Sequence, residues 1–351
     1  MRIATRYQPQ LLYEMPIQHG GFLPSTRYQG SKYKILKWID YHTKDLDFDT
    51  ALDAFGGTGC VGYMYKQNGK QVFYNDSLKF NHYIGLALIE NKEITLSDGD
   101  LDFILKKNPK VSYPSFICDT FHDIYFTDDE NKWLDVVVTN IGKIKDKYKQ
   151  ALAYYALFQS CIIKRPYNLF HRKTHSRRTA QGERSFGNKK TWDTPFEDHF
   201  LKFVNEANNA VFDNGKKNQA FHGDIFDLTI PKIDLVYIDT PYISAKGAGV
   251  NYFDFYHFLE GIVFYDEWSK LIDESSKHKK IKNGKSEWCS KGEIYQAFGR
   301  LFDQFRSSIL VVSYRDDGIP SIAELAEMLT LRGKNVVIKK LDINSPSFTC
   351  G

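Results

Sequence analysis

Residues 50–67, TALDAFGGTGCVGYMYKQ, constrain the fold of this chain more than any other stretch. A short apolar run breaks into Phe55-Gly56-Gly57-Thr58-Gly59, and helical apolar spacing follows. Glycines let a backbone turn tightly and approach a ligand, and a helix that starts there offers free N–H groups. KQVFYNDS (70–77) then reads as a second strand ending in Asp76, and KFNHYIGLALIEN (79–91) as a helix. Strand, loop, helix and strand in that order predict a βαβ unit and a parallel sheet. An acid at the end of the second strand can accept both hydroxyls of a ribose, so Asp76 points to an adenosine-like cofactor. The loop is F-x-G-x-G, not the G-x-G-x-x-G that wraps a pyrophosphate. Asp53 before it suits the ammonium group of an amino-acid-bearing cofactor. Taken alone, the loop also reads as a plain strand-to-helix turn.

A second strand signal carries chemistry. DLVYIDTPYI (234–243) is an apolar run ending in Asp239-Thr240-Pro241-Tyr242. Ligands of a parallel sheet gather at the carboxyl ends of its strands. Methylation of an aromatic exocyclic amine needs groups that draw its lone pair out of the ring. The Asp239 carboxylate and the Thr240 carbonyl can each accept one N–H hydrogen bond from such an amine. Pro241 stiffens the turn, and Tyr242 offers a flat face for an extruded base. By itself, DTPY reads more readily as a turn with a buried tyrosine.

The rest of the chain sets bounds. Strand patterns return in QAFHGDIFDL (219–228), SSILVVSYRDDG (307–318) and KNVVIKKLDI (334–343), while residues 100–163 and 196–212 read mainly as helix. Residues 1–26 read as an irregular arm. The five cysteines include no C-x-x-C pair, so they read as reduced thiols with no structural zinc. Asp119 and His122 lack a suitably spaced third ligand, and no metal is expected. No run approaches the roughly 20 apolar residues that span a bilayer, and a cytoplasmic protein is expected. Net charge is only +4, so the location of the charge matters more than its sum. Residues 164–190 hold nine Lys and Arg against the single acid Glu183.

With these residues in hand, the chain resembles the Dam-like, α-class adenine-N6 DNA methyltransferases, and among them the FokI-like restriction–modification branch. Tyr28-Gln29-Gly30-Ser31-Lys32 is similar to the family's N-terminal cofactor loop, and Asp53 to Gly59 to its F-x-G-x-G motif. Asn75-Asp76 matches the ribose-binding acid. His222-Gly223-Asp224-Ile225 is similar to the motif that meets the cofactor's adenine. DTPY stands where the family has D-P-P-Y, with Thr240 in place of a proline. Ser313-Tyr314-Arg315 with Gly318 resembles a later motif beside the base pocket, with Arg315 where Asn is common.

The resemblance implies an α/β fold: a Rossmann-like S-adenosylmethionine methyltransferase sheet with an inserted, mainly helical and loop, target-recognition region. It implies a catalytic domain of residues 1–150 and 215–351 and a recognition insertion of 151–214. The implied cofactor is S-adenosyl-L-methionine, held by Tyr28, Gly30, Ser31, Lys32, Asp53, Phe55, Gly57, Thr58, Gly59, Asp76, Asp224 and Ile225. The implied partner is double-stranded DNA, flipped one base at a time, with a cognate restriction endonuclease as a further candidate. Phosphate contacts are expected from Arg165, Arg172, Lys173, Arg177, Arg178, Arg184, Lys189 and Lys190. Alternatives are an RNA or protein-amide methyltransferase of the same fold, or a silent nucleic-acid-binding relative. The second basic run, Lys277 to Lys291, matches no motif and reads equally as a solvated surface loop or as a further phosphate-binding run.

Overall fold

The computed structural model describes residues 2–3, 21, 23–24, 27–170, 189–244, 249, 251–284 and 286–341. Its centre is a five-stranded, all-parallel sheet. The strands are β2 (Thr50–Asp53), β3 (Gln71–Asp76), β4 (Gln219–His222), β5 (Leu235–Ile238) and β7 (Ile309–Val312), in the order β4-β3-β2-β5-β7. Every side chain of β5 is buried, and β2 and β3 are buried beyond their first residues. That is why these segments read as continuous apolar runs rather than alternating ones. The edge strands β4 and β7 are only partly covered. Asp234 ties the lower ends of β2 and β5 together, its Oδ2 accepting from Asp49 N, Thr50 N and Thr50 Oγ1 at 2.8–3.1 Å.

Two apolar cores flank the sheet. The larger holds α1 (Leu36–Thr43), α2 (Cys60–Gln67), α3 (Lys79–Gly85), α4 (Asp128–Gly142), α5 (Lys147–Ile163), α6 (Phe196–Ala210) and α7 (Tyr252–Val263). The smaller lies under α8 (Ile294–Gln304) and α9 (Ile322–Thr330). Capping boxes start α4, at Thr127 and Glu130, and α9, at Ser321 and Glu324. Glu260 of α7 caps α3 instead, accepting from Lys79 N at 2.9 Å and Phe80 N at 3.0 Å. This fixes the helix that follows Asp76.

Three sequence expectations change. The boundary expected at residue 151 falls inside α5, an unbroken helix buried almost all round its circumference. A helix of that kind belongs to a core, and it packs against α3 and α6. Among its described residues, 334–341, the segment 334–343 adds no strand to the main sheet; β9 (Val337–Ile338) pairs with β1 (Arg2–Ile3) instead, and Val337 is 56% exposed. The remaining pair is antiparallel, β6 (Ile243–Ser244) with β8 (Gly318–Ile319), just beyond the DTPY turn.

The third change is Arg165, expected on DNA but only 1% exposed. Its Nε donates to Leu169 O at 3.2 Å and its Nη1 to Tyr125 O at 3.1 Å, and the guanidinium lies 4.5 Å from the Tyr125 ring centre. It is occupied in holding the chain before residue 171. Lys164 does the same for the returning chain. Its Nζ pairs with Glu130 at 2.8 Å and donates to the carbonyls of Trp192 and Thr194. Arg172, Lys173, Arg177, Arg178 and Arg184 lie outside the described residues. Lys189 and Lys190 are exposed on a short helix, Lys189–Asp193.

Candidate active site

A pocket opens at the carboxyl ends of β2, β3 and β5. It is lined by Tyr28, Gly30, Ser31, Lys32, Asp53, Phe55, Gly57, Thr58, Asp76, Asp224, Ile225, Asp239 and Pro241, all singled out in the sequence. Gly59, Thr240 and Tyr242 do not line it. Gly59 points the other way, toward Tyr74, Ile84 and Ile89, and its left-handed φ of +69° starts α2.

The glycine loop is shaped by β3. Tyr74 lies under it, its hydroxyl donating to Gly57 O at 2.7 Å and Asn81 O at 3.0 Å. A Cβ on Gly56 would stand 2.0 Å from the Tyr74 ring, so only glycine fits. Asp76 closes the loop from the side. Its Oδ2 accepts from Gly57 N at 2.9 Å and its Oδ1 from Leu78 N at 2.8 Å. Burial raises its pKa against those two hydrogen bonds. Asp53 is 2% exposed and accepts from Gly62 N at 3.0 Å. Burial outweighs that bond and pushes its pKa up to about 7.

The loop at 28–32 faces these groups. The Tyr28 ring stacks on Tyr256 at 4.3 Å and on Tyr252 at 5.7 Å, both rings of α7. Gly30 has φ +84° and passes so close to the Tyr252 hydroxyl that a Cβ would sit 2.2 Å from it. Ser31 Oγ lies 3.4 Å from Thr58 Oγ1. Lys32 reaches across to the DTPY turn, its Nζ 2.5 Å from Asp239 Oδ2. Burial works to lower the Lys32 pKa, but the Asp239 charge lifts it above the ordinary lysine value. Asp239 is raised by burial despite Lys32. Its Oδ1 is buried and has no hydrogen-bond partner among the described residues.

Tyr242 meets Tyr314 edge-on at 6.1 Å and carries the Arg315 guanidinium 5.5 Å from its ring centre. Arg315 is itself held by two hydrogen bonds to Asp317, at 2.7 and 2.8 Å. Asp224 is exposed on the pocket rim and accepts from Phe226 N at 3.0 Å.

Sequence reasoning missed several lining residues. Tyr237, Ser77, Leu78 and Asn81 are neighbours of motif residues in the chain or in space. Tyr252 carried a signal, as the first aromatic of the helix after DTPY. Ser286 and Trp288 carried none, because they sit in a polar, basic run without periodicity.

The chain is similar to known proteins over most of its length. A family profile described as "D12 class N6 adenine-specific DNA methyltransferase" matches residues 28–327. The chain is 30% identical over 322 residues to the type II methyltransferase M2.HphI of Haemophilus parahaemolyticus, covering 90% of each chain. It is 26% identical to M.NlaIII of Neisseria lactamica, with 88% of each chain covered. It is 25% identical to M.FokI of Planomicrobium okeanokoites over 88% of this chain, but spans only 47% of that relative. No solved structure is matched.

Proposed function

Because the chain belongs to the D12 class N6 adenine-specific DNA methyltransferases, we propose that its pocket holds S-adenosyl-L-methionine and that Asp239 to Tyr242 act on an adenine flipped out of duplex DNA. The observation that carries this reading is the state of Asp239. One oxygen is held by Lys32, the other is buried with no hydrogen-bond partner among the described residues, and the residue lines the pocket that the glycine loop builds. A buried acceptor without a donor is costly in a folded protein, and an amine N–H satisfies it.

The donor set fits the cofactor. Asp76, whose oxygens keep lone pairs beyond the bonds from Gly57 N and Leu78 N, is set for the ribose hydroxyls, Asp53 and the 28–32 loop for the amino-acid end, and Asp224 with Ile225 for the purine. When bound, the cofactor supplies an electrophilic methyl group on a sulfonium. Asp239 Oδ1 and the Thr240 carbonyl accept the two N6 hydrogens and favour a pyramidal nitrogen with its lone pair available. On taking up the methyl group the amine would shed one proton, which would leave past Asp239 to solvent. Tyr242 stacks on the base, and Arg315 with Tyr314 holds that ring in place.

Like the type II methyltransferases it resembles, the enzyme methylates a defined site and partners a restriction endonuclease in this reading. The Lys164-to-Trp192 region supplies the recognition surface. Asp239→Ala is expected to abolish methyl transfer to duplex DNA while S-adenosylmethionine still binds, which a tritium-transfer assay beside calorimetry measures. Turnover retained in that variant sinks the assignment of Asp239.

A further inference from the structure

We propose that Trp288 is the wall on which the cofactor's purine stacks, at the adenine end of the pocket. The proposal rests on the reading of that pocket as an S-adenosylmethionine site. In sequence the stretch around Trp288 shows only charge. In the fold its chain doubles back through a bridge between Ile272 and Ile281, and it then delivers Ser286 and Trp288 to the pocket lining.

Which end of the pocket Trp288 serves follows from its neighbours. Its ring lies parallel to Phe226 at 6.0 Å and 8°, and edge-on to Phe55 at 5.0 Å and 82°. Phe226 follows Ile225, and Phe55 opens the glycine loop. The indole therefore abuts the turn after β4, at the purine end, rather than the Asp239 end. It is also locked. Phe298 of α8 meets it edge-on at 5.4 Å. Arg300 of the same helix lies 3.8 Å over Phe226 and donates to Glu287 Oε2 at 3.1 Å. The next residue, Cys289, packs against Gly249, where a Cβ would stand 3.1 Å from Cys289 O. A ring fixed before the ligand arrives loses little freedom on binding. Stacking of a base on an aromatic side chain corresponds to roughly a 10- to 100-fold change in affinity.

The test is calorimetric binding of S-adenosylhomocysteine and of adenosine to the full chain, with melting temperature and far-UV circular dichroism as checks on folding. Trp288→Ala should weaken both ligands by about 10- to 100-fold, and by the same factor for each, because adenosine keeps the purine and lacks the amino-acid end. Trp288→Phe should restore most of the affinity. Trp288→Leu preserves apolar volume but removes the aromatic face, so it should bind as weakly as the alanine variant even if that one folds poorly. Folded leucine and alanine variants that bind both ligands like the unaltered protein overturn the proposal and leave the pocket assignment standing. So does a variant that loses only affinity for DNA. If the unaltered protein binds neither ligand, the pocket assignment fails and the proposal goes with it.

Discussion

Asp239 has its two oxygens in different surroundings, and a change of pH reads that difference. Only the ionised carboxylate can accept at Oδ1 while Lys32 holds Oδ2. Burial has already raised its pKa, and the Lys32 charge works against the rise. Removing that charge lets the pKa climb further. An opposite charge this close favours the ionised form. The acid limb of kcat/KM in Lys32→Gln is therefore expected to move to higher pH. An unmoved limb would mean that Lys32 does not tune Asp239. Asp53 makes a separate statement about stability. Its carboxyl titrates near 7 in the fold, chiefly because of burial, against 3.8 ordinarily. The folded state thus holds its proton longer than the unfolded state, so stability falls as pH rises through that window. Above pH 7 the deficit is at most roughly 4 kcal/mol, at about 1.4 kcal/mol per unit. Asp53→Asn keeps an acceptor for Gly62 N and removes the charge. It should raise the melting temperature of the ligand-free protein at pH 8, with a gain that shrinks toward pH 5. Its affinity for S-adenosylmethionine should fall, since the ammonium loses its counter-charge.

The glycine loop separates two reasons for glycine. At Gly56 the constraint is space. Tyr74 cannot swing away, because its hydroxyl is tied to Gly57 O and Asn81 O. At Gly57 the constraint is only the left-handed φ of +49°, and a Cβ there meets nothing closer than 3.8 Å. Gly56→Ala is thus expected to destabilise the chain by about 1–3 kcal/mol through overpacking and to lose cofactor binding. Gly57→Ala should cost only about 1–2 kcal/mol of backbone strain and keep weakened binding. Thermal melts and calorimetry on the pair check this, and equal effects would refute the distinction. Elements of this kind were legible because local chemistry dictates them: a strand buried on both faces is a run of apolar residues, and the turn after it must be glycine. Trp288 was not legible. Its place comes from packing against Phe55, Phe226 and Phe298, which lie far apart in the chain, and nothing in KSEWCSK marks that. The start of the insertion is less legible for a related reason. Composition changes at Lys164, but α5 before it is core, and a helix buried almost all round carries no single stripe to reveal what it packs against.

At the scale of the whole molecule, the parallel sheet gathers one set of loops at one edge, so motifs scattered from Tyr28 to Asp239 line a single pocket. Sequence order alone foretold that gathering, because parallel strands put their carboxyl ends side by side. What it could not foretell was which cations face outward. Counting Lys and Arg in 164–190 treats Arg165 and Lys190 alike, whereas the fold buries one and exposes the other. Salt distinguishes them. Each phosphate neutralised on duplex DNA contributes about −0.9 to the slope of log affinity against log salt concentration. The double variant Lys189→Ala, Lys190→Ala should flatten that slope by roughly one to two units, with little change in melting temperature. Arg165→Met should do the reverse. It leaves the Leu169 and Tyr125 carbonyls without their donor, costing about 1–3 kcal/mol of stability, and it leaves the salt slope unchanged. Filter binding across a salt series, beside thermal melts, measures both quantities. A flattened slope in Arg165→Met would mean that the guanidinium leaves its buried seat to meet the phosphates, and that the anchoring of the recognition segment opens when DNA binds.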